Sequence, residues 1–117
     1  MRSTFLLSNK TYVYSKINLA GENPFAIFNE EEGSTFILPL LGAKKANINY
    51  EFPCRYLRLF NKTSLTEVGI TSKVAKILAK ESIPCNVVAA LNYDYFFVPV
   101  TQAEKAKQLL NTHFLKT

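Results

Sequence analysis

The residues best suited to chemistry lie in two short stretches, Ser64–Ile70 ("SLTEVGI") and Asn92–Tyr95 ("NYDY"). Gly69 has no Cβ, so a ligand carboxylate or another backbone can approach the start of a helix there. Free N–H groups and the helix dipole favour an anion at such a place. Ser64 and Thr66 can donate hydroxyls to the same carboxylate. Asp94 and Glu67 can hold an ammonium or a guanidinium through charge-assisted hydrogen bonds. Each group also has a plainer use. Gly69 can simply clear room for packing, and Asn92-Tyr93-Asp94 is ordinary turn chemistry. Ser64 followed three residues later by Glu67 matches a capping box, which predicts a helix beginning near Leu65 and running through Gly69. Ile70 opens the apolar stripe of that helix.

Catalysis finds little support in the sequence. His113 is the single histidine and lies close to the C-terminus, so a Ser-His-Asp or Cys-His arrangement would need an ordered tail. No phosphate-cradling glycine loop and no metal-ligand spacing is present. Cys54 and Cys85 belong to no C-x-x-C pair and read as buried free thiols, with a disulfide as the alternative. The expectation is a chain with no enzymatic activity, no cofactor and no metal.

The 117 residues suit one compact body, able to bury about two-thirds of its unfolded surface. Hydrophobic residues make up 48%, which excludes a disordered tail or linker. The longest apolar runs, such as Phe36–Leu41, are broken by Pro39 and are far too short to cross a bilayer. Met1–Leu7 holds too little apolar length for a secretory signal, so the expected location is cytoplasmic, and the two N-x-T sequons at Asn9 and Asn61 read as chance matches. The net charge of +5 permits contact with anions without naming one.

Strands and turns dominate the first half. "TYVYSKI" (11–17), "FAIFN" (25–29) and "STFILPL" (34–40) read as strands, with Gly21 and Pro24 breaking the first from the second. The last two flank Glu30-Glu31-Glu32-Gly33, which suits a hairpin. A short helix over 40–46 follows. "RYLRLFN" (55–61) sets Tyr56, Arg58 and Phe60 on one side of a strand and Leu57 and Leu59 on the other. Ile70, Val74, Ile77 and Leu78 recur at helical spacing, and Pro84 ends that helix. "CNVVAAL" (85–91) reads as a buried strand and "YFFVPV" (95–100) as its antiparallel neighbour. Thr101 with Glu104 makes a second capping box, opening a helix with Ala103, Ala106, Leu109 and Leu110 inward. The order is strand, helix, strand, strand, helix. A βαββαβ unit needs one strand more, and a strand from the first half or from another chain is expected to fill that place.

In this order the stretch from Ser64 to Leu110 resembles an ACT domain, a small regulatory module with a ferredoxin-like fold. "LTEVGITSKVAKILAKESI" is similar to the family's strand-to-helix corner, "IPCNVVAA" to its second strand and "NYDYFFVPV" to its return strand. Small proteins built from two ACT-like units also carry an "EEG" hairpin, as Glu31-Glu32-Gly33 does here. The resemblance covers roughly residues 24 to 110. It implies an α+β fold of ferredoxin-like, ACT-like units, an antiparallel sheet with helices on one face. The implied halves are 1–60 and 61–117, interlocked as one body. The implied function is non-catalytic: sensing a small ligand, an amino acid or similar metabolite, at a unit or subunit interface of a homodimer. Tandem relatives include arginine sensors. Gly69 and Asp94 match the family's ligand-facing positions, with Glu67, Thr66 and Ile70 around them. Many members read "YHDHIF" at the return hairpin, whereas Tyr93 and Tyr95 replace both histidines here.

Two rivals stand beside this reading. A protein-interaction module that has lost its ligand is favoured by those tyrosines. Nucleic-acid binding would use the charge and the Lys73, Lys76 and Lys80 stripe, but a solvated helix face explains the lysines better. The glycine-containing basic signature of an RNA-recognition motif is missing.

Overall fold

A computed structural model describes residues 4–18 and 23–114; Gly21 lies outside them. The chain divides into two compact units. Unit 1 comprises the residues up to Ser8 together with Arg55 onward, and unit 2 comprises Asn9–Cys54.

Unit 1 contains β1 (Phe5–Leu7), the second part of β5 (Glu51–Leu59), α2 (Ile70–Lys80), β6 (Asn86–Ala89), β7 (Asp94–Pro99), a 3-10 turn (Val100–Gln102) and α3 (Ala103–Phe114). Its strands lie in the order β1, β5, β7, β6. This is the ferredoxin-like order, and the strand missing from the C-terminal half is supplied by the start of the chain. Phe5, Leu6 and Leu7 pair antiparallel with Leu59, Arg58 and Leu57. The Asn111 side chain on α3 then binds both backbone groups of Phe5, accepting from its N–H at 2.6 Å and donating to its carbonyl at 3.4 Å. Bonds of this kind blunt a strand that would otherwise offer unpaired backbone to a neighbour.

The core of unit 1 follows from alternation and helical spacing. Phe5, Leu57, Phe96 and Val98 point from the strands toward Val74 and Leu78 of α2 and Ala103, Ala106 and Leu110 of α3, all buried. Ile70, Ile77 and Leu109 pack partly buried against them. α3 begins at Ala103 after the 3-10 turn, and Glu104 in its first turn lies 3.4 Å from Arg55.

Two local expectations require correction. β6 is an outer strand with three of its four residues exposed, so "CNVVAAL" is not a buried strand. It ends the strand order, and β7 is its one strand partner among the described residues. α2 ends at Lys80, ahead of Pro84. Ser82 takes a left-handed φ of 56°, its N–H reaches the Ala79 carbonyl, and the N–H of buried Ile83 reaches Leu78. That pair of bonds is a Schellman motif, which terminates the helix before proline can.

Unit 2 contains β2 (Tyr12–Ser15), β3 (Ala26–Glu30), β4 (Gly33–Pro39), α1 (Leu40–Lys45) and the first part of β5, in the strand order β3, β4, β2, β5. The β3–β4 hairpin closes from Glu30 to Gly33 across Glu31 and Glu32, with Gly33 at φ 129°, a value glycine tolerates freely. Between β2 and β5 the register slips, with Tyr12 opposite Cys54 and Tyr14 opposite Glu51. Phe52 absorbs the extra residue in a left-handed conformation, with its ring edge-on to Tyr14. Pro53, which has no N–H to donate, sits at this bulge as proline in a sheet must. A small core of Val13, Leu38, Ala43 and Ile48 joins α1 to the strands.

Both cysteines are free thiols. Burial pushes Cys54 up to about 12 and Cys85 up to about 11.

Candidate functional site

The α2 corner of unit 1 is built from the segment that leaves β5 and from the β6–β7 hairpin. Thr63 N–H donates to the Asn92 carbonyl at 2.8 Å, which ties the two segments together. The hairpin itself is held by Ala90 N–H on the Tyr93 carbonyl and by the pairing of Ala89 with Asp94.

The capping box does not form. Ser64 accepts Glu67 N–H through its carbonyl in an isolated turn, and its hydroxyl lies 3.1 Å from that of Thr66. The helix starts later, at Ile70, with Gly69 as its N-cap at φ 95° and ψ −18°. The local reason is conformational. A residue at this φ carries a steric penalty unless it is glycine, and the glycine then lets the chain turn directly into α2. Packing is not the reason, because a Cβ placed on Gly69 would meet no atom within 4 Å. The open space in front of Gly69 meets a helix start whose N–H groups have no side-chain cap.

Asp94 is half-buried at the head of β7. Its carboxyl is raised above the ordinary value, first by burial and second by the negative charge of Glu67. The fold therefore brings Glu67 and Asp94 within electrostatic reach of each other, although they are far apart in sequence. Thr66 is exposed beside them, while Ile70 turns inward and packs on the core. An uncapped helix start with a carboxylate pair beside it offers complementary contacts to an anion and to a cation.

Sequence reading did not include Arg58 in the site. Its guanidinium lies over the Tyr93 ring, 4.1 Å from the centroid, and donates to the Leu59 carbonyl at 3.0 Å. Tyr93 meets Tyr95 edge-on, and Tyr95 in turn meets Tyr56 at 4.9 Å between centroids. The signal was present: Tyr56 and Arg58 alternate onto one side of β5, and the ferredoxin-like order sets β5 beside β7. The tyrosines at the histidine positions thus form an aromatic row with a cation at its end. Among the described residues no group of three His, Cys, Asp or Glu side chains is placed to hold a metal. Around the corner Phe60, Leu65, Val68 and Leu91 are exposed, Val68 to 91%. Of the lysine stripe, Lys73 covers the Phe114 ring at 4.2 Å and so serves packing as well as solvation.

The comparisons concern the family and the fold. ACT-domain models match residues 3–55 and 52–112. The chain belongs to the ACT domain family and carries two such matches in tandem. It is similar to a protein of unknown function from Vibrio cholerae, described as a possible transport protein, with 29% identity, a TM-score of 0.85, and coverage of 98% of this chain and 91% of that one. A protein from Agrobacterium tumefaciens follows at 17% identity and TM-score 0.76, covering 96% and 89%. The regulatory subunit of aspartate kinase from Thermus flavus shares the fold at 11% identity and TM-score 0.66, covering 97% and 98%. No curated protein matches the chain. No described helix is long and apolar enough to cross a membrane.

Proposed function

We propose that this chain is a non-catalytic regulatory module of the cytoplasm that senses an amino acid or similar metabolite at the α2 corner, as a homodimer. Membership of the ACT family gives the general role, regulatory ligand binding. The observation that supports the particular site is the pairing of an uncapped helix start at Gly69 with the carboxylates of Glu67 and Asp94. A ligand carboxylate suits the first and a ligand ammonium the second. Thr66 lies on the rim, and Ile70 anchors the first turn of the helix to the core.

The test is thermal unfolding against a panel of amino acids, each near millimolar. A ligand at 100 times its dissociation constant adds about 2.7 kcal/mol to stability. One amino acid should raise the melting temperature of the natural chain and leave Asp94→Ala unshifted. A shift that survives Asp94→Ala moves the site elsewhere.

A second reading is a protein-interaction module. It rests on the exposed apolar rim of Phe60, Leu65, Val68 and Leu91 and on the two tyrosines of the hairpin. Silence across the whole panel would favour it.

A further inference from the structure

Unit 2 holds a hollow of about 450 Å³ whose walls include Lys10, Thr11, Pro39, Leu40, Leu41 and Lys45. That volume falls within the roughly 300–1,000 Å³ common for small-molecule sites. Local structure explains how the hollow is made. Pro39 turns the chain out of β4, and Leu40 N–H donates to the Thr11 carbonyl at 2.9 Å, pinning α1 to the segment ahead of β2. Leu41 and Lys45 are four residues apart on α1 and so share one face of it. The far end of that turn is fixed by a Schellman motif, with Asn47 left-handed and Ile48 N–H on the Ala43 carbonyl.

The lining is chemically one-sided. It carries two lysines and no carboxylate, and its apolar wall includes Leu41, which is 75% exposed. Lys45 has no ion pair among the described residues. A single exposed leucine is ordinary. A leucine beside a hollow with two cations on its wall has a specific complement.

We propose that this hollow binds a small organic anion with an apolar body, its anionic head between Lys10 and Lys45 and its body on Pro39, Leu40 and Leu41. None of these residues belongs to the α2 corner, so this site and the amino-acid reading stand or fall separately.

The experiment is a titration of the full chain with octanoate, followed by backbone amide NMR, beside acetate and octyltrimethylammonium. Octanoate should move the amides of Thr11 and of residues 40–45, and added salt should weaken it. Acetate, lacking the body, should bind far more weakly, and the cation should move none of these amides. Lys45→Glu should lower octanoate affinity roughly tenfold, since it exchanges an attraction for a repulsion. Leu41→Ser should lower it by a smaller factor. Both positions are exposed, so the unfolding midpoints should stay unchanged and loss of binding cannot be loss of fold. The proposal is overturned if octanoate moves only amides elsewhere, if Lys45→Glu binds equally well, or if octyltrimethylammonium or acetate matches octanoate.

Discussion

The two units build the same strand arrangement with unequal resources. Unit 1 carries helices of 11 and 12 residues and a core in which α2 and α3 meet four strand residues through buried contacts. Among the described residues unit 2 carries one helix, of six residues, packed in a cluster of four buried residues, with Tyr12, Ile37 and Cys54 buried besides. Between β2 and β3 no described residue of unit 2 is helical, where unit 1 has α2 between β5 and β6. The comparison teaches that the antiparallel strand order can be kept while the helix layer shrinks. Strand pairing supplies backbone hydrogen bonds whatever covers the sheet, whereas helices of this length depend on the apolar face they bury. Both units nevertheless stop a helix in the same way, with a left-handed residue and two carbonyl-directed N–H groups, at Asn47 in one and Ser82 in the other.

The largest effect should come from the core of unit 1. Phe96→Ala should cost about 3–5 kcal/mol, whereas Ile48→Val in unit 2 should cost about 0.5–1.5 kcal/mol. Urea unfolding midpoints give both numbers, and a Phe96→Ala cost no larger than that of Ile48→Val would end the view of Phe96 as a core side chain of unit 1. Gly69→Ala comes next, at about 1–2 kcal/mol, from backbone conformation alone, since there is nothing nearby to clash with. Asn tolerates this region better than alanine, so Gly69→Asn should lose less. Equal losses for the two would argue for packing instead.

Helix ends sharpen the comparison further. Ser82→Gly should stabilise the chain by up to about 1 kcal/mol, and Asn47→Gly by less, because asparagine already accepts a left-handed φ. The Arg58–Tyr93 contact should contribute about 0.5–1 kcal/mol in a double-mutant cycle, its partly exposed position setting the scale.

Two predictions concern pH, one for each unit. A thiol raised by burial stays neutral in the fold while the unfolded chain ionises near 9.0, so stability should fall as pH rises from about 9 toward about 12. Cys54→Ala in unit 2 should flatten the upper part of that decline in alkaline urea titrations. Asp94 in unit 1 is likewise raised, so its contribution is fully present at acid pH and lessens as pH rises through its folded value. Asp94→Asn should remove that slope. Glu67→Gln should bring the Asp94 titration, followed by carboxyl NMR, closer to 3.8. A titration unmoved by Glu67→Gln would separate the two carboxylates and weaken the proposed cation contact. This is the smallest effect expected.

Much of the local structure was legible in the residues. The strand at Tyr12–Ser15, the hairpin around Glu31-Glu32 and the inward faces of α2 and α3 follow from alternation, turn chemistry and helical spacing. These are properties of neighbours a few positions apart. The family resemblance was legible too, because its motifs are local and their order is linear. Other features misled. "SLTE" satisfies a capping pattern, yet the helix waits for Gly69, because a left-handed glycine starts α2 without any side-chain cap. "CNVVAAL" is apolar enough to be buried, but nothing within its own residues reveals that it ends the strand order of the described residues.

By itself the sequence determined the main strands and helices from Tyr12 onward and the linear order of the family's motifs. Tertiary structure alone decided that Phe5–Leu7 completes unit 1 by pairing with β5, that Glu67 comes within reach of Asp94, and that Arg58 lies on Tyr93. The physical reason is common to all three. Backbone hydrogen bonds, charges and ring faces accept any suitable partner, so which partner they receive depends on which strands the buried core draws together.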